Sequence, residues 1–522
     1  MKLMNKKLFY INEPQVMFGY NQTTEDPRDG LILFGPYEKL NPFKVRVGLI
    51  GTNNALINYK AFINKITKPI FSTQVRYGKL KNVEVKRPTF PGFEATFEIE
   101  IPVDPEIFID IDENEINKII YKEKIKRKRT SELVELYLNK MKEVSNKEDL
   151  HIDIWYVAVP RELYFACRPK SKGKQVNSET LDIIKLQDLG QTFLSFPGEE
   201  EFYEEVQKYY DSSEDFHDLM KARVIQEKIK IPIQIIVETT FEFRDKLTRK
   251  KLDDYMCAHL AWTQSTTLYY KLGKLPWKLH DIRDGVCYLG LVFKKLNLSS
   301  EKGNVCSAAQ MFLKDGDGAV FRGNIGLWMS ENDKNFHLDE KESENLLGMA
   351  LDDYFDKKNN YPSEMFIHGR ANFSDNEWNG FNSALRKRRA NTHLIGIIIK
   401  DVNDFKLLRS VENEVSNYGV LRGLAWVINQ NEGYLFSRGY IPRIKTSNSL
   451  EIPNPLFIKI ARGISDIGTV MSDILALTKL NYNACIYGDG LPVTLRFSDL
   501  IGNILTSTPE FKTDQRQFKY YI

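Results

Sequence analysis

Two lysines, a histidine and a glutamine are spaced in this sequence so that they could converge on an anion. His217 and Lys221 lie four apart in HDLMK, which stacks the two side chains on one face of a helix. Gln234 is the one polar residue in the apolar run Ile231–Val237, which reads as a buried strand. Lys271 closes a second helical segment, rich in the small residues Ser265, Thr266 and Thr267, just before Gly273. The ammonium groups supply point charges and the amide supplies a donor; a protonated imidazole would add a third cation. A terminal phosphate, with up to about two charges and several acceptor oxygens, suits such a set. Each residue alone also has a plain reading, a surface lysine or a core histidine, and spacing does not choose between them.

Bond-breaking chemistry is harder to assemble. A two-metal nuclease of the RNase H type needs three or four carboxylates on strand ends. The strand Gly285–Lys295 contains no Asp or Glu, and Glu364–His368 runs out into Gly369-Arg370. The stretch Pro492–Phe497 (PVTLRF) is apolar or cationic. Asp315, Asp317, Asp375 and Glu377 read as turn and capping residues. Asp315-Gly316-Asp317-Gly318 lacks the rest of a calcium loop and reads as a hairpin turn. His368, at a strand end, reads as structural. There is no GxSxG, Walker or HExxH motif. The five cysteines, Cys167, Cys257, Cys287, Cys306 and Cys485, form no CxxC pair. That argues against zinc and a disulfide framework and for a reducing compartment.

Composition narrows the class. The chain has 522 residues, 42% hydrophobic and 12% aromatic, enough for several domains with large cores. Lys plus Arg number 73 against 70 Asp plus Glu, a net charge of only +3. Any polyanion site must therefore be a local groove rather than a whole-surface field. The N-terminus lacks the pattern of a signal peptide, and no apolar run approaches the ~18–20 residues of a membrane span. A cytoplasmic location without membrane contact is expected.

The elements that must position these residues alternate. Short strands are expected at Leu8–Ile11, Leu31–Phe34 after a turn at 26–30, and Val45–Ile50. A helix is expected at Asn54–Ile66, and a turn over Pro88–Phe97 leads into a strand ending near Ile101. Residues 112–129 are strongly charged and read as a solvated face or connection. Ser131 is expected to cap a helix through Val144, and Ile152–Val159 is a buried strand. This alternation suggests a Rossmann-like α/β domain. From Gly285 the pattern changes. Three neighbouring strands, Val286–Phe293, Ala308–Leu313 and Ala319–Arg322, precede helix 341–355, strand 364–368, helix 375–389 and strand 394–399. Helix 465–478, a short strand Pro492–Leu495 and helix 497–505 follow. That is the order of an RNase H-like layered fold.

These residues carry a family resemblance. HDLMK, IPIQIIVETT and LAWTQSTTLYYKLGKLPWKL resemble the guide 5′-end pocket of an Argonaute MID domain. GVCYLGLVFKK, FIHGRANFSDNEWNGF and NACIYGDGLPVTLRF resemble a PIWI domain. DPRDGLILFGPY and RPTFPGFEA are similar to short prokaryotic Argonautes, in particular the SPARTA type whose partner is a TIR-APAZ protein. The resemblance implies residues 1–284 as N-terminal segment and MID domain, and 285–522 as an RNase H-like PIWI domain. It implies that His217, Lys221, Gln234 and Lys271 hold the guide 5′ phosphate, with Mg2+ held by Gln234 and the C-terminal carboxylate of Ile522. Thr267 stands where some relatives have a polar or cationic pocket residue. Val292, Arg370 (or Gly369) and Phe497 stand at positions of the slicing tetrad, implying an inactive PIWI domain. Groove cations would be Arg322, Lys387, Arg388, Arg389 and Arg422. The implied function is a sensor loaded with 5′-phosphorylated guide RNA that recognises complementary single-stranded DNA of plasmids or phage. Target binding would activate the NADase of the TIR-APAZ partner in a heterodimer that oligomerises. The alternatives are a sirtuin-APAZ or nuclease-APAZ effector, or an RNA-guided nuclease.

Overall fold

The computed structural model describes residues 7–40, 44–72, 75–76, 84–85, 89–145, 151–168, 215–280, 283–295, 305–312, 318–322, 337–403, 405–411, 414–444, 446–447, 452–505, 507–508 and 517–522. Two sheets organise them. The smaller has four parallel strands in the order Ile107–Asp110, Val47–Gly51, Ile154–Val159 and Ile233–Val237. Every residue of Ile154–Val159 is buried because both faces are covered. Ile154, Tyr156 and Ala158 pack with helix Asn53–Ile66, and Trp155, Val157 and Val159 with helices Lys126–Ser145 and Phe216–Gln226. This is the expected Rossmann-like layer, with its strand order reversing between Val47–Gly51 and Ile154–Val159.

The larger sheet has nine strands. Val286–Lys295, Val305–Phe312 and Gly318–Arg322 form an antiparallel meander. Glu364–Gly369 pairs parallel to Val286–Lys295, and His393–Asp401 parallel to Glu364–Gly369. That three-then-two arrangement is RNase H-like. Helices Glu340–Lys358 and Asp375–Arg388 cover one face through Cys287, Leu289, Met365 and Ile367. Helices Ile467–Leu477 and Val493–Leu505 belong to the core on the other face. Helix Val493–Leu505 lies close on the first strand of the meander because Gly290 has no Cβ, which would meet the Thr494 carbonyl oxygen at 2.2 Å. The first strand of the chain, Lys7–Tyr10, pairs with Leu424–Asn429 at the edge of this large sheet, so the N-terminal segment is woven into the second half. Among the described residues no helix is long and apolar enough to cross a membrane.

Four local expectations are corrected. The turn and strand expected over 26–34 are one helix, Pro27–Phe34. Asp26 is its N-cap, accepting from the Arg28 amide at 3.0 Å, and Pro27 sits in its first turn. The stretch expected to run from a turn into a strand contains instead the short helix Phe93–Phe97. Helix Lys126–Ser145 begins five residues before Ser131, which is therefore interior and not a cap. The short strand expected at Pro492–Leu495 is the start of helix Val493–Leu505, where proline is tolerated because the first amides of a helix have no partner. The turn at 313–317 lies outside the described residues, although the strands flanking it pair as a hairpin.

Candidate functional site

A helix, a strand, a second helix and the chain's last residues meet in one cavity of about 610 Å3. Helix Phe216–Gln226 is capped by Asp215, whose carboxylate accepts from the His217 amide at 2.9 Å. One turn on, Lys221 is 3% exposed. Strand Ile233–Val237 carries Gln234. Helix Asp254–Lys271 brings Lys271, 1% exposed, and ends where Gly273 turns to φ +89°. His217, Lys221, Gln234 and Lys271 all line the cavity, and so do Thr267 and Ile522. The sequence-selected set is thus brought together across more than 300 residues of chain.

The C-terminal residues are held in place by packing on both halves. Phe518 meets Phe497 edge-on at 5.1 Å and Tyr270 at 6.1 Å. The Tyr520 hydroxyl donates to the Lys230 carbonyl at 2.8 Å. Lys221 Nζ donates to the Tyr521 carbonyl at 3.1 Å, and Lys271 Nζ to the Ile233 carbonyl at 2.7 Å. Neither bond neutralises the ammonium, and buried charges without counterions are costly.

The electrostatics follow from that. Burial lowers the Lys221 pKa to about 8, against the opposing pull of Asp218 and Asp215. Lys271 is driven well below the ordinary lysine value, by burial first and then by Lys221. His217 falls to about 4 through burial and the neighbouring Lys221, although Asp218 lies 3.1 Å from its Nδ1. Some 48% of its side-chain surface is accessible, but it lines the cavity, so hydration there is less than in bulk water. The imidazole is therefore neutral at pH 7 and supplies a hydrogen-bond partner, while Lys221 supplies charge. Burial and Asp218 raise the Asp215 carboxyl to about 6. A site with two desolvated amines and uncommitted polar atoms favours a small, strongly charged anion.

Gln234 Oε1 and Gln264 Oε1 are buried without a protein hydrogen-bond partner. Thr267 Oγ1 is committed to the Thr263 and Tyr482 carbonyls at 2.9 and 3.3 Å. Also in the wall, and not marked by any sequence pattern, are Tyr164, Arg168, Lys246, Gln264, Asn483 and Asn503. Asp215 could have been found, since an Asp before an apolar-periodic run is an N-cap signal.

Of the tetrad and groove positions, Phe497 lines the cavity, and Val292, Arg370, Lys387, Arg388, Arg389 and Arg422 fall elsewhere. Val292 is 6% exposed on Val286–Lys295, and Phe497 is 1% exposed on helix Val493–Leu505. Arg370 is exposed just past Glu364–Gly369. His368 is buried, its Nδ1 2.9 Å from Thr494 Oγ1, with its pKa lowered by burial to about 3, which fits its structural reading. Among the described residues no group of three His, Cys, Asp or Glu could hold a metal ion.

Arg422 is not a groove cation. It is 1% exposed and pairs with Glu13 at 2.9 Å, and it donates to the Ser437 carbonyl and, at 2.7 Å, to Thr478 Oγ1. Its place at a turn, two residues before strand Leu424–Asn429, directs it into the protein. Lys387 pairs with Glu344, and Arg388 with Asp352 at 2.6 Å. Both reach acids on the neighbouring helix Glu340–Lys358 instead of a groove. Arg389 is exposed in the left-handed cap of its helix, φ +53°. The Arg322 side chain lies outside the described residues. In the charged run, Arg129 is 9% exposed and donates to the Ala166 carbonyl at 2.7 Å, while Lys128 lies 3.8 Å from Glu123.

No protein-family model matches the chain, and no curated protein matches it. Solved structures do. One is Clostridium butyricum Argonaute bound to a guide DNA with a 5′ deoxycytidine and a 19-mer target DNA. It aligns over 99% of this chain and 55% of its own, with a TM-score of 0.63 at 15% identity. Aquifex aeolicus Argonaute aligns over 100% of this chain and 56% of its own, with a TM-score of 0.52 at 14% identity. The same Argonaute with externally bound siRNA gives 0.51 at 15% identity, over 99% and 56%. The chain spans about half the length of these proteins. The likeness is one of fold, and the fold is Argonaute-like, a mixed α/β arrangement consistent with MID and PIWI domains.

Proposed function

We propose that this chain is a guide-directed nucleic-acid-binding protein that holds the 5′ phosphate of a guide RNA in the cavity between its two halves. The observation that carries this is the convergence of Lys221, Lys271, Gln234 and His217 on one cavity, with two buried amines that form no salt bridge among the described residues. A solved structure sharing the fold holds guide and target DNA, which supports nucleic acid as the ligand class. A guide strand bound through phosphates and shape leaves its bases to read a complementary strand.

The chain's own residues divide the work. Lys221 and Lys271 exchange carbonyl partners for phosphate oxygens, and the neutral His217 offers a hydrogen bond. Gln234 fits a divalent ion, since its Oε1 is a buried acceptor without a protein partner among the described residues, and Ile522 lines the same cavity. Mg2+ held there would neutralise phosphate charge beyond what the lysines offset.

The reading extends to recognition without cleavage. Support comes from an apolar Val292 and a cationic Arg370 where the sequence resemblance places metal ligands of slicing relatives; Phe497, near the last such position, packs on Phe518 beside the cavity. The sensor then signals through a partner. The sequence resemblance favours a TIR-APAZ protein whose NADase responds to target pairing, and target must bind the active assembly more tightly than the resting one. Co-expression with the neighbouring effector tests this part. Complementary single-stranded DNA should trigger NAD loss and remain uncut in Mg2+ or Mn2+. Guide-dependent cutting of the target, or NAD loss indifferent to complementarity, would contradict it.

A further inference from the structure

We propose that Glu238 is a proton-operated catch in the small sheet: protonated, it ties the ends of two strands together across a third, and ionised it lets go. The four strands of that sheet are parallel, so whatever follows them gathers at one end. Strand Val47–Gly51 leads into Thr52, Ile107–Asp110 into Glu113, Ile154–Val159 into Glu162, and Ile233–Val237 directly into Glu238. The three glutamates each lie in the first turn of a helix. In the sheet, Ile154–Val159 stands between Val47–Gly51 and Ile233–Val237. The Thr52 hydroxyl nevertheless donates to Glu238 Oε1 at 2.8 Å, so one hydrogen bond spans the end of the intervening strand. Beside it, Asn58 Nδ2 donates to Glu242 Oε1 at 3.1 Å.

The surroundings favour a proton on Glu238. The residue is partly buried, and Glu113, Glu242 and Glu162 act on it with like charge. The cations of the neighbouring elements are engaged elsewhere. Arg249 pairs with Glu162 and Arg244 with Glu242, each at 3.0 Å. Arg161 donates to the Lys246 and Leu247 carbonyls at 2.9 and 3.0 Å, and Lys140 to the Asp110 carbonyl at 3.4 Å. Tyr137, the titratable neighbour from helix Lys126–Ser145, donates its hydroxyl to the Ala158 carbonyl at 3.2 Å. Helix Glu238–Phe241 has four residues, too few for its dipole to hold a charge at its start. Burial, and then the three glutamates, raise the Glu238 carboxyl to about 7 against the pull of the Thr52 bond. Once ionised, the carboxylate is better served by water than by one hydroxyl, and the catch opens. Val237 and Thr240, on either side of Glu238, line the cavity, so opening loosens one of its walls.

The test uses the purified full-length chain without ligand, as wild type and as Glu238→Gln, which keeps an acceptor for Thr52 and carries no charge. Between the ordinary glutamate value of 4.5 and about 7 the folded wild type binds the extra proton at Glu238, so this residue's contribution to stability falls as pH rises through that window. Relative to E238Q, the unfolding constant of wild type should therefore rise by at least about tenfold between pH 5 and 7. Taking the ratio to E238Q cancels the titration of groups the variant retains, Asp215 and Lys221 among them. Amide exchange over 237–241, corrected for its intrinsic pH dependence, should be at least about tenfold faster in wild type at pH 7.5 than at pH 5.5, and slow at both in E238Q. Stability curves of wild type and E238Q that run parallel across pH 5–7 would overturn the catch. So would wild-type exchange over 237–241 that is equal at the two pH values, a result that needs no variant to fold, or exchange that speeds up equally in E238Q.

Discussion

Lys221 and Lys271 are poor residents of an empty protein and good partners for an anion. Each phosphate contact of this kind contributes about 1.5–3 kcal/mol, so Lys221→Ala or Lys271→Ala should weaken 5′-phosphorylated RNA about tenfold to a hundredfold. The double substitution should also flatten the salt dependence by up to about two phosphate contacts; an unchanged slope in a salt titration would count against the pocket. The pH dependence has a definite sign. Phosphate binds the ammonium form, and Lys221 loses its proton near pH 8 in the empty protein. Affinity should therefore hold up to about pH 8 and fall about tenfold per unit above it, while a 5′-hydroxyl strand shows much less change. Stability of the empty protein moves the other way. Between about 8 and the ordinary value of 10.5 the unfolded chain binds more protons at Lys221, so this residue's contribution to stability rises with pH across that window. Thermal melts at pH 7.5 and 9.5, with and without 5′-phosphorylated RNA, check both signs.

Two structural devices hold the elements around the pocket. Asp215 caps helix Phe216–Gln226, and Asp215→Ala should cost about 1 kcal/mol of stability while leaving Lys221 in place. Further away, Glu13 from the N-terminal segment receives both Arg422 and Lys479 in the core of the second half. Breaking this buried pair with Glu13→Ala strands two cations, which should cost about 3–5 kcal/mol without altering the salt slope of RNA binding. A changed slope with normal stability would return Arg422 to the groove. At this scale the sequence was legible where periodicity or an apolar run is strong. Three of the four small-sheet strands, Val47–Gly51, Ile154–Val159 and Ile233–Val237, fall on apolar runs read as strands, whereas the fourth, Ile107–Asp110, was not marked; the meander plus two parallel strands match the RNase H order. It was illegible where one residue type serves two ends. Asp-Pro opens a turn or a helix, and only packing around Leu31 and Gly30 chose the helix Pro27–Phe34. Arg422 reads as a groove cation because a cation beside an apolar strand looks the same whether its carboxylate partner lies 409 residues away or is absent.

For the whole molecule, the pocket's first wall was legible because four residues with anion chemistry fall on recognisable elements. The second wall was not, since Tyr164, Arg168 and Lys246 lie on a short helix and a turn that only the sheet topology brings beside Val237. The chain's last residues complete the space by threading between the halves, with Phe518 on Phe497 and Tyr270. Occupancy of the cavity should therefore stiffen the junction, and 5′-phosphorylated RNA should slow amide exchange in 217–226 and 518–522 more than in the 340–388 helices. No protection there would separate guide binding from this junction. The most direct measurement compares binding of one RNA sequence with a 5′ phosphate and with a 5′ hydroxyl, by wild type and by folded K221A/K271A, at pH 7 in Mg2+. The pocket predicts a wild-type preference for the phosphate of at least about tenfold that disappears in the double variant. Equal wild-type binding of the two RNAs, or a preference that survives the loss of both lysines, would contradict it.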